Sequence, residues 1–301
     1  MDRVSTWPGL RLGVVNRAAE VAVVPGGKGF NVARAVVRLG VEATAYGFLG
    51  GHVGEDLREM IVADGVADRH TTITAGTRVC FIVVEPESGR STVLNEPGPA
   101  VTLDEVTRFL DTLRADGSDG DLVVLSGSLP DSVSPSIAGE VVRIGAAAGA
   151  RTLVDIHSEA LVHAVAQLPG MVKCNRHELA LLLGDDAVTD LPRAMQRLRD
   201  QGVEVVVVTL GAEGALIADY EGVARVRVPA IEEINPTGSG DLLLAGLSVG
   251  IERGLAPREA LVLGAACGTA GATHLRPELP PGFDPDEWTP RISVEPAGSA
   301  A

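Results

Sequence analysis

Two glycine-rich turns in this chain each open onto a helix, and each holds residues able to do chemistry. The first, Pro25 to Gly40, reads PGGKGFNVARAVVRLG. Glycines 26, 27 and 29 allow a ligand close to the backbone, and the helix starting near Phe30 offers free N–H groups. Lys28 adds a mobile cation and Asn31 an amide. The spacing is neither a Walker A loop nor a GxGxxG turn after a strand. A glycine-rich turn alone is more often architectural; a Lys and an Asn within it tilt the reading toward a ligand. The second turn, Ile234 to Leu247, reads INPTGSGDLLLAGL. Consecutive N–H groups at Gly238, Ser239 and Gly240 would form an anion nest at the positive end of a helix. Asp241 follows in the first turn and carries two readings. It could complement the helix dipole, or act as a general base beside the nest, an arrangement suited to phosphoryl transfer.

Composition limits what such turns could bind. With 25 basic against 40 acidic residues the net charge is −15, which disfavours nucleic acid and anionic membranes as general partners. An anionic ligand must then be held by a few local positive groups. Only two of the basic residues are lysines, Lys28 and Lys173. Drift toward Arg-coding codons explains the scarcity, and the survivors mark places where a compact ammonium matters. The three cysteines (Cys80, Cys174, Cys267) form no CxxC pair, against a disulfide framework or a zinc site. The six histidines lack metal-binding spacing and read as surface or packing residues. Ser126-Gly127-Ser128 is not a GxSxG elbow. No apolar run reaches the roughly 18 residues of a membrane span, nor is there a signal-peptide pattern; a cytoplasmic location is expected.

The elements that must position these turns alternate between Val-rich strands and amphipathic helices, the pattern of a parallel sheet covered on both faces. Strands are expected at 121–127, 151–156, 170–175 and 203–211. Helices fit 31–39, 54–63, 103–114, 135–148, 191–201, 239–253 and 257–273. Between Thr77 and Asn95 the rhythm changes to two strands around Glu87-Ser88-Gly89, a hairpin. With a strand in 14–24 it would form a small separate sheet, a lid over the site. The Pro- and Glu-rich end reads as a loosely packed tail.

The two turns together resemble the paired signatures of the pfkB, or ribokinase-like, carbohydrate kinases. Between them, in family order, come Thr77-Arg78, NEPGP (95–99), SGSLP (126–130), KCNRHEL (173–179) and TLGAEG (209–214). The resemblance runs from about Asp2 to His274 and is strongest to the branch acting on sugar phosphates. It implies an α/β ribokinase-like three-layer sandwich with a mostly parallel central sheet and a small β-sheet lid. One kinase domain would span 1–301, with lid segments at about 3–25 and 77–97, a core at about 26–76 and 98–276, and a tail at 277–301.

The resemblance also implies roles. Lys28 and Arg78 would hold the substrate's existing phosphate, and Asp2, Gly27, Asn31 and Ser126 the sugar. Asp241 would deprotonate the acceptor hydroxyl while Gly238, Ser239 and Gly240 steady the moving phosphoryl group. Lys173, Asn175, Thr209, Gly211, Gly214 and Thr237 would face ATP. Glu178, with Asn175 in an NxxE motif, would organise Mg²⁺ through water. The implied reaction is phosphorylation of a ketohexose phosphate, first fructose 1-phosphate, with fructose 6-phosphate or tagatose 6-phosphate as alternatives. A homodimer through the lid is also implied.

The chain departs from the family pattern in three places. The family's sheet has a central strand ahead of the Asp2 position that this sequence does not include, so a start further upstream is expected; otherwise a sugar contact loses its support. That departure motivates a rival reading, a catalytically silent phosphosugar-binding protein, against which stand Asp241, NxxE and the nest. Cys174 replaces a frequent Pro, and Leu242 a small residue; neither removes a catalytic group.

Overall fold

The computed structural model describes residues 1–117 and 121–297. Its largest sheet contains β9 (Leu122–Gly127), β10 (Arg151–Ile156), β11 (Met171–Asn175), β12 (Val205–Thr209), β13 (Ala215–Asp219), β14 (Gly222–Arg227) and β15 (Ser293–Pro296). They lie side by side in the order β15-β14-β13-β12-β11-β10-β9. The four strands from β9 to β12 are parallel, and the other three are antiparallel. The expected mostly parallel sheet is therefore parallel where its strands are Val-rich runs and antiparallel at one edge.

Helices cover both faces. On one lie α1 (Lys28–Arg38), α8 (Ser239–Glu252) and α9 (Pro257–Ala272), sharing an apolar cluster with Leu153, Val207 and Ile217. On the other lie α4 (Ile137–Ala147), α5 (Glu159–Val165), α6 (Arg176–Leu183) and α7 (Leu191–Asp200), packed on Val154, Val206 and Val208. Alternate residues of one strand thus feed opposite cores, as expected for strands buried on both faces. Helices α8 and α9 approach closely because small residues meet: a Cβ on Gly246 would lie 2.8 Å from Gly264 Cα. That contact holds the first turn of α8, with Asp241, against the core.

A second sheet, order β2-β1-β7-β8, consists of β1 (Asp2–Thr6), β2 (Glu20–Val24), β7 (Cys80–Glu85) and β8 (Arg90–Asn95). This is the expected lid, with β1, a strand not expected from the sequence, between β2 and β7. Its inner residues Val4, Val24, Ile82 and Val84 are buried and pack on Leu275, just beyond α9. The remaining elements are β3 (Thr44–Ala45), β4 (Phe48–Leu49), α2 (Gly51–Ala63), β5 (Ala67–Asp68), β6 (Thr71–Thr72) and α3 (Leu103–Asp116). Strand β3 pairs with β5 and β4 with β6, both in parallel.

The tail is not loose where it is described. Leu279 is buried, α10 (Pro285–Trp288) follows, and β15 adds a strand to the large sheet; residues 298–301 lie outside the described set. A Pro-rich composition hid a segment that is tied down by pairing with β14.

Candidate active site

Both glycine-rich turns line one cavity of about 1310 Å³ between the large sheet and the lid. The first turn opens α1. Gly27 sits at φ +116°, a conformation that favours glycine, and no acidic side chain occupies the first helical turn. Gly26 is needed for a different reason: a Cβ there would overlap the Asp2 carboxylate. Burial raises the pKa of Asp2, opposed by the Met1 ammonium and Arg78. The second turn is pinned from behind. Asn235 is buried, accepts from Thr237 N at 3.0 Å and donates to the Leu275 carbonyl at 2.8 Å. Gly238 then turns left-handed (φ +83°) and caps α8.

Asp241 is 5% exposed, and Asn31 Nδ2 donates to its Oδ2 at 2.9 Å, tying the two turns together across 210 residues. Burial pushes the carboxyl up to about 6; the Asn31 hydrogen bond, Lys28 and Lys173 oppose this, and Asp155 reinforces it. A carboxylate buried at a helix start and poised near neutrality suits a general base better than a solvated dipole complement.

The nest differs in detail from the expectation. Ser239 N–H donates to the Pro236 carbonyl at 3.1 Å, so it is not offered to a ligand. The N–H groups of Gly238 and Gly240 make no such bond among the described residues. Ser239 Oγ is buried without a partner among the described residues, as are Asn31 Oδ1 and Ser126 Oγ. Buried polar atoms in folded proteins are rarely unpaired; Asn31 and Ser126 line the cavity while Ser239 does not, and two such atoms at its wall fit a polar, oxygen-rich ligand.

Lys173, at the end of β11, donates to Asp155 Oδ2 at 2.6 Å with both side chains buried. Its ammonium lies 3.5 Å from where a Cβ on Gly240 would stand, directly over the nest. Asp155 and His157 were not singled out from the sequence, yet both line the cavity. The available signal was their place at the carboxyl end of a parallel strand, where open α/β sheets bind ligands. Arg78 and Lys28 face the lid side of the cavity. Lys28 has no ion pair among the described residues, and Arg78 reaches only the Glu96 carbonyl at 3.5 Å.

Asn175 and Glu178 form a capping box on α6: Asn175 Oδ1 accepts from Glu178 N and Glu178 Oε2 accepts from Asn175 N, each at 2.9 Å. Both also line the cavity, as do Thr209 and Thr237. Gly211 and Gly214 do not. Gly214 is explained locally, because a Cβ there would overlap the Val226 carbonyl. Among the described residues no cluster of three His, Cys, Asp or Glu forms a metal cage. The oxygen donors Glu178 and Asn175 fit Mg²⁺ of the kind held mainly by phosphates and water.

A family model for the pfkB family carbohydrate kinases matches residues 1–278. The chain belongs to this family. Within it, the chain is similar to 1-phosphofructokinase of Bacillus subtilis, 33% identical over 87% of this chain and 86% of the relative. It is also similar to tagatose-6-phosphate kinase of Staphylococcus epidermidis, 31% identical over 80% of this chain and 78% of the relative. Among solved structures it resembles phosphofructokinase-2 from Escherichia coli in complex with potassium. The TM-score is 0.89 at 27% identity, covering 96% of this chain and 94% of that one. The pfkB fold thus accounts for the three layers, the lid and the meeting of two glycine turns. No helix among the described residues is long and apolar enough to cross a membrane.

Proposed function

We propose that this kinase transfers the γ-phosphoryl group of ATP to a hydroxyl of a ketohexose phosphate, with fructose 1-phosphate the acceptor and fructose 1,6-bisphosphate the product. The observation that carries the reading is Asp241, buried at the start of α8, held by Asn31 and raised to about 6. In this reading Asp241 takes the proton of the acceptor hydroxyl as that oxygen attacks phosphorus. The N–H groups of Gly238 and Gly240, with Lys173 above them, meet the charge on the transferring group. Thr209, Thr237, Asn175 and Lys173, which line the cavity, would face ATP, and Gly211 and Gly214 would shape the turn beyond them. Mg²⁺, held by Glu178 and Asn175 through water, would supply charge neutralisation between the phosphates.

Lys28 and Arg78, cations on the lid side without carboxylate ion pairs among the described residues, support a substrate that already carries a phosphate. Asp2, Gly27, Asn31 and Ser126 also line the cavity and would take the sugar hydroxyls. The tagatose-6-phosphate kinase relative and the phosphofructokinase-2 fold match favour a second reading, in which the acceptor is a 6-phosphate. ADP release from Mg-ATP with fructose 1-phosphate, fructose 6-phosphate, tagatose 6-phosphate and free fructose separates these. The expected result is a preference for fructose 1-phosphate; turnover only of free fructose would overturn the roles of Lys28 and Arg78.

The lid supports a homodimer. Val23, Arg3, Phe81 and Leu94 form one row across its outer face, in register, and the three apolar members are 37–55% exposed. Sedimentation at micromolar concentration should give a dimer that Phe81→Asp dissociates; a monomeric parent protein would remove this reading.

A further inference from the structure

The carboxyl ends of the parallel strands present two rows of side chains to the cavity. In the lower row Ser126, Asp155 and Lys173 stand side by side on β9, β10 and β11: Ser126 is in register with Asp155, and Lys173 donates to Asp155. Two residues further along the strands, an advance of about 6.6 Å, Asn175 is in register with Thr209. His157 follows Asp155 by the same two residues. The register of β10 with β11, Val154 beside Val172, carried on by three residues brings His157 next to Asn175. Alternation places His157 on the face of Leu153 and Asp155, the face that packs on α1 and α8. His157, Asn175 and Thr209 all line the cavity.

His157 is exposed, and its ring makes no hydrogen bond or ion pair among the described residues. His70, also on the cavity wall, is committed: its Nδ1 lies 2.6 Å from Asp68 Oδ1 and its ring rests on Phe30. Behind His157 the backbone is strained. Ser158 sits at φ 63°, ψ −161°, a region open in practice only to glycine, and its side chain does not cap α5. Strain of this kind persists where the surroundings fix it, and it gathers at turns that hold ligands. Here it ends β10 directly after His157, leaving the imidazole at the strand end while the chain turns away into α5. Charge points the same way. Asp155, Glu178 and Asp241 line this end as acids, and the ammonium facing them, Lys173, is already paired with Asp155. A polyphosphate held here needs further N–H donors. Asn175 uses Oδ1 in the cap of α6, which leaves its amide nitrogen, and His157 offers a ring N–H beside it. Lys28 serves the other side, since it stands next to Gly127 at the end of β9.

We propose that His157 is a phosphate-binding residue for the nucleotide: its ring N–H, beside the amide nitrogen of Asn175, donates to the β-phosphoryl oxygens of ATP. This rests on the reading of ATP as the phosphoryl donor. Lys173 and the nest take the γ-phosphoryl group, and His157, one row further out along the strands, takes the group behind it. As the acceptor oxygen bonds to the γ-phosphorus, the bond from that phosphorus to the bridging oxygen breaks. Its electron pair stays with the β-phosphoryl group of ADP. A donor fixed there strengthens as the charge arrives, so His157 assists the departure of ADP from phosphorus as well as the binding of ATP.

Titration calorimetry of the full chain with Mg-ATP and Mg-ADP tests this without turnover. His157→Ala should weaken both nucleotides by roughly 10–100-fold, the loss of one hydrogen bond to a charged group. His157→Gln, which keeps an N–H donor, should bind within about threefold of the parent protein. Both variants should melt within about 2 °C of the parent, because the side chain is exposed. In turnover, His157→Ala should raise KM for Mg-ATP and lower kcat while KM for the phosphosugar stays where it was. Unchanged nucleotide binding in His157→Ala, a loss that Gln does not restore, or a rise in the phosphosugar KM instead would each overturn the proposal. A parent protein that binds neither nucleotide would overturn the kinase reading as well. Tight binding by the parent, matched by His157→Ala, would remove the role of His157 and leave the kinase reading standing.

Discussion

The two ends of the cavity are built differently. At the α8 end the chemical groups are buried and partnered: Lys173 on Asp155 at 2.6 Å, Asp241 on Asn31 at 2.9 Å. At the lid end Lys28 has no ion pair among the described residues, Arg78 has a single long contact to a carbonyl, and β8 is exposed along its whole length. The difference separates two tasks. Groups that stabilise a transition state gain most from being fixed beforehand in a dry site. Groups that recognise a charged substrate can wait in water for it, and a lid that closes on them excludes that water afterwards.

The contrast is broken most directly at the buried end. Asp241→Asn keeps the shape and the Asn31 neighbour but removes the base. The expected loss in kcat is about 10²–10⁴-fold with KM for the phosphosugar nearly unchanged. A loss well under tenfold would show that Asp241 is only a helix-start carboxylate. The lid end should respond in the other parameter. Lys28→Met and Arg78→Met should each raise KM for the phosphosugar by roughly 10–100-fold, since a lost charge-assisted contact costs about 1.5–3 kcal/mol, while kcat falls little. Turnover of free fructose, if measurable, should not change. A fall in kcat equal to that of Asp241→Asn would erase the division between the ends.

How much of this was legible in the sequence follows the same line. The α8 end was readable because its geometry needs special residues at fixed spacing: a left-handed Gly238, an Asp in the first helical turn, an Asn pinning the loop. The parallel strands were readable as Val runs. Asp155 was not, since one acid at a strand end looks like any other until Lys173 is placed beside it. Strand β1 was missed because DRVST lacks an apolar alternation, and its pairing with β2 and β7 is long-range. Gly214 has a second, local reason to be glycine that the sequence does not show: a Cβ there would overlap the Val226 carbonyl of β14.

The smallest effect is the most specific test of the buried end, because it asks whether Asp241 carries the cost of its position. Its folded pKa of about 6 lies above the ordinary aspartate value of 3.8, with burial as the main cause. Between these two values the folded chain holds a proton that the unfolded chain has released. Folding stability contributed by this group is therefore full below about pH 4 and is lost as pH rises through about 6. At neutral pH the ionised, buried carboxylate costs about 2–3 kcal/mol. Asp241→Asn, which is never charged, should thus melt a few degrees above the parent protein at about pH 7.5, and the gap should close by about pH 4. Activity should run the opposite way, with kcat/KM of the parent falling about tenfold per pH unit below about 6 as the base is protonated. Phosphosugars also titrate near pH 6, so activity alone is ambiguous and the melting gap decides. If that gap is the same at both pH values, Asp241 is not a strained, raised carboxylate. The buried end would then owe its chemistry to the nest and Lys173 instead.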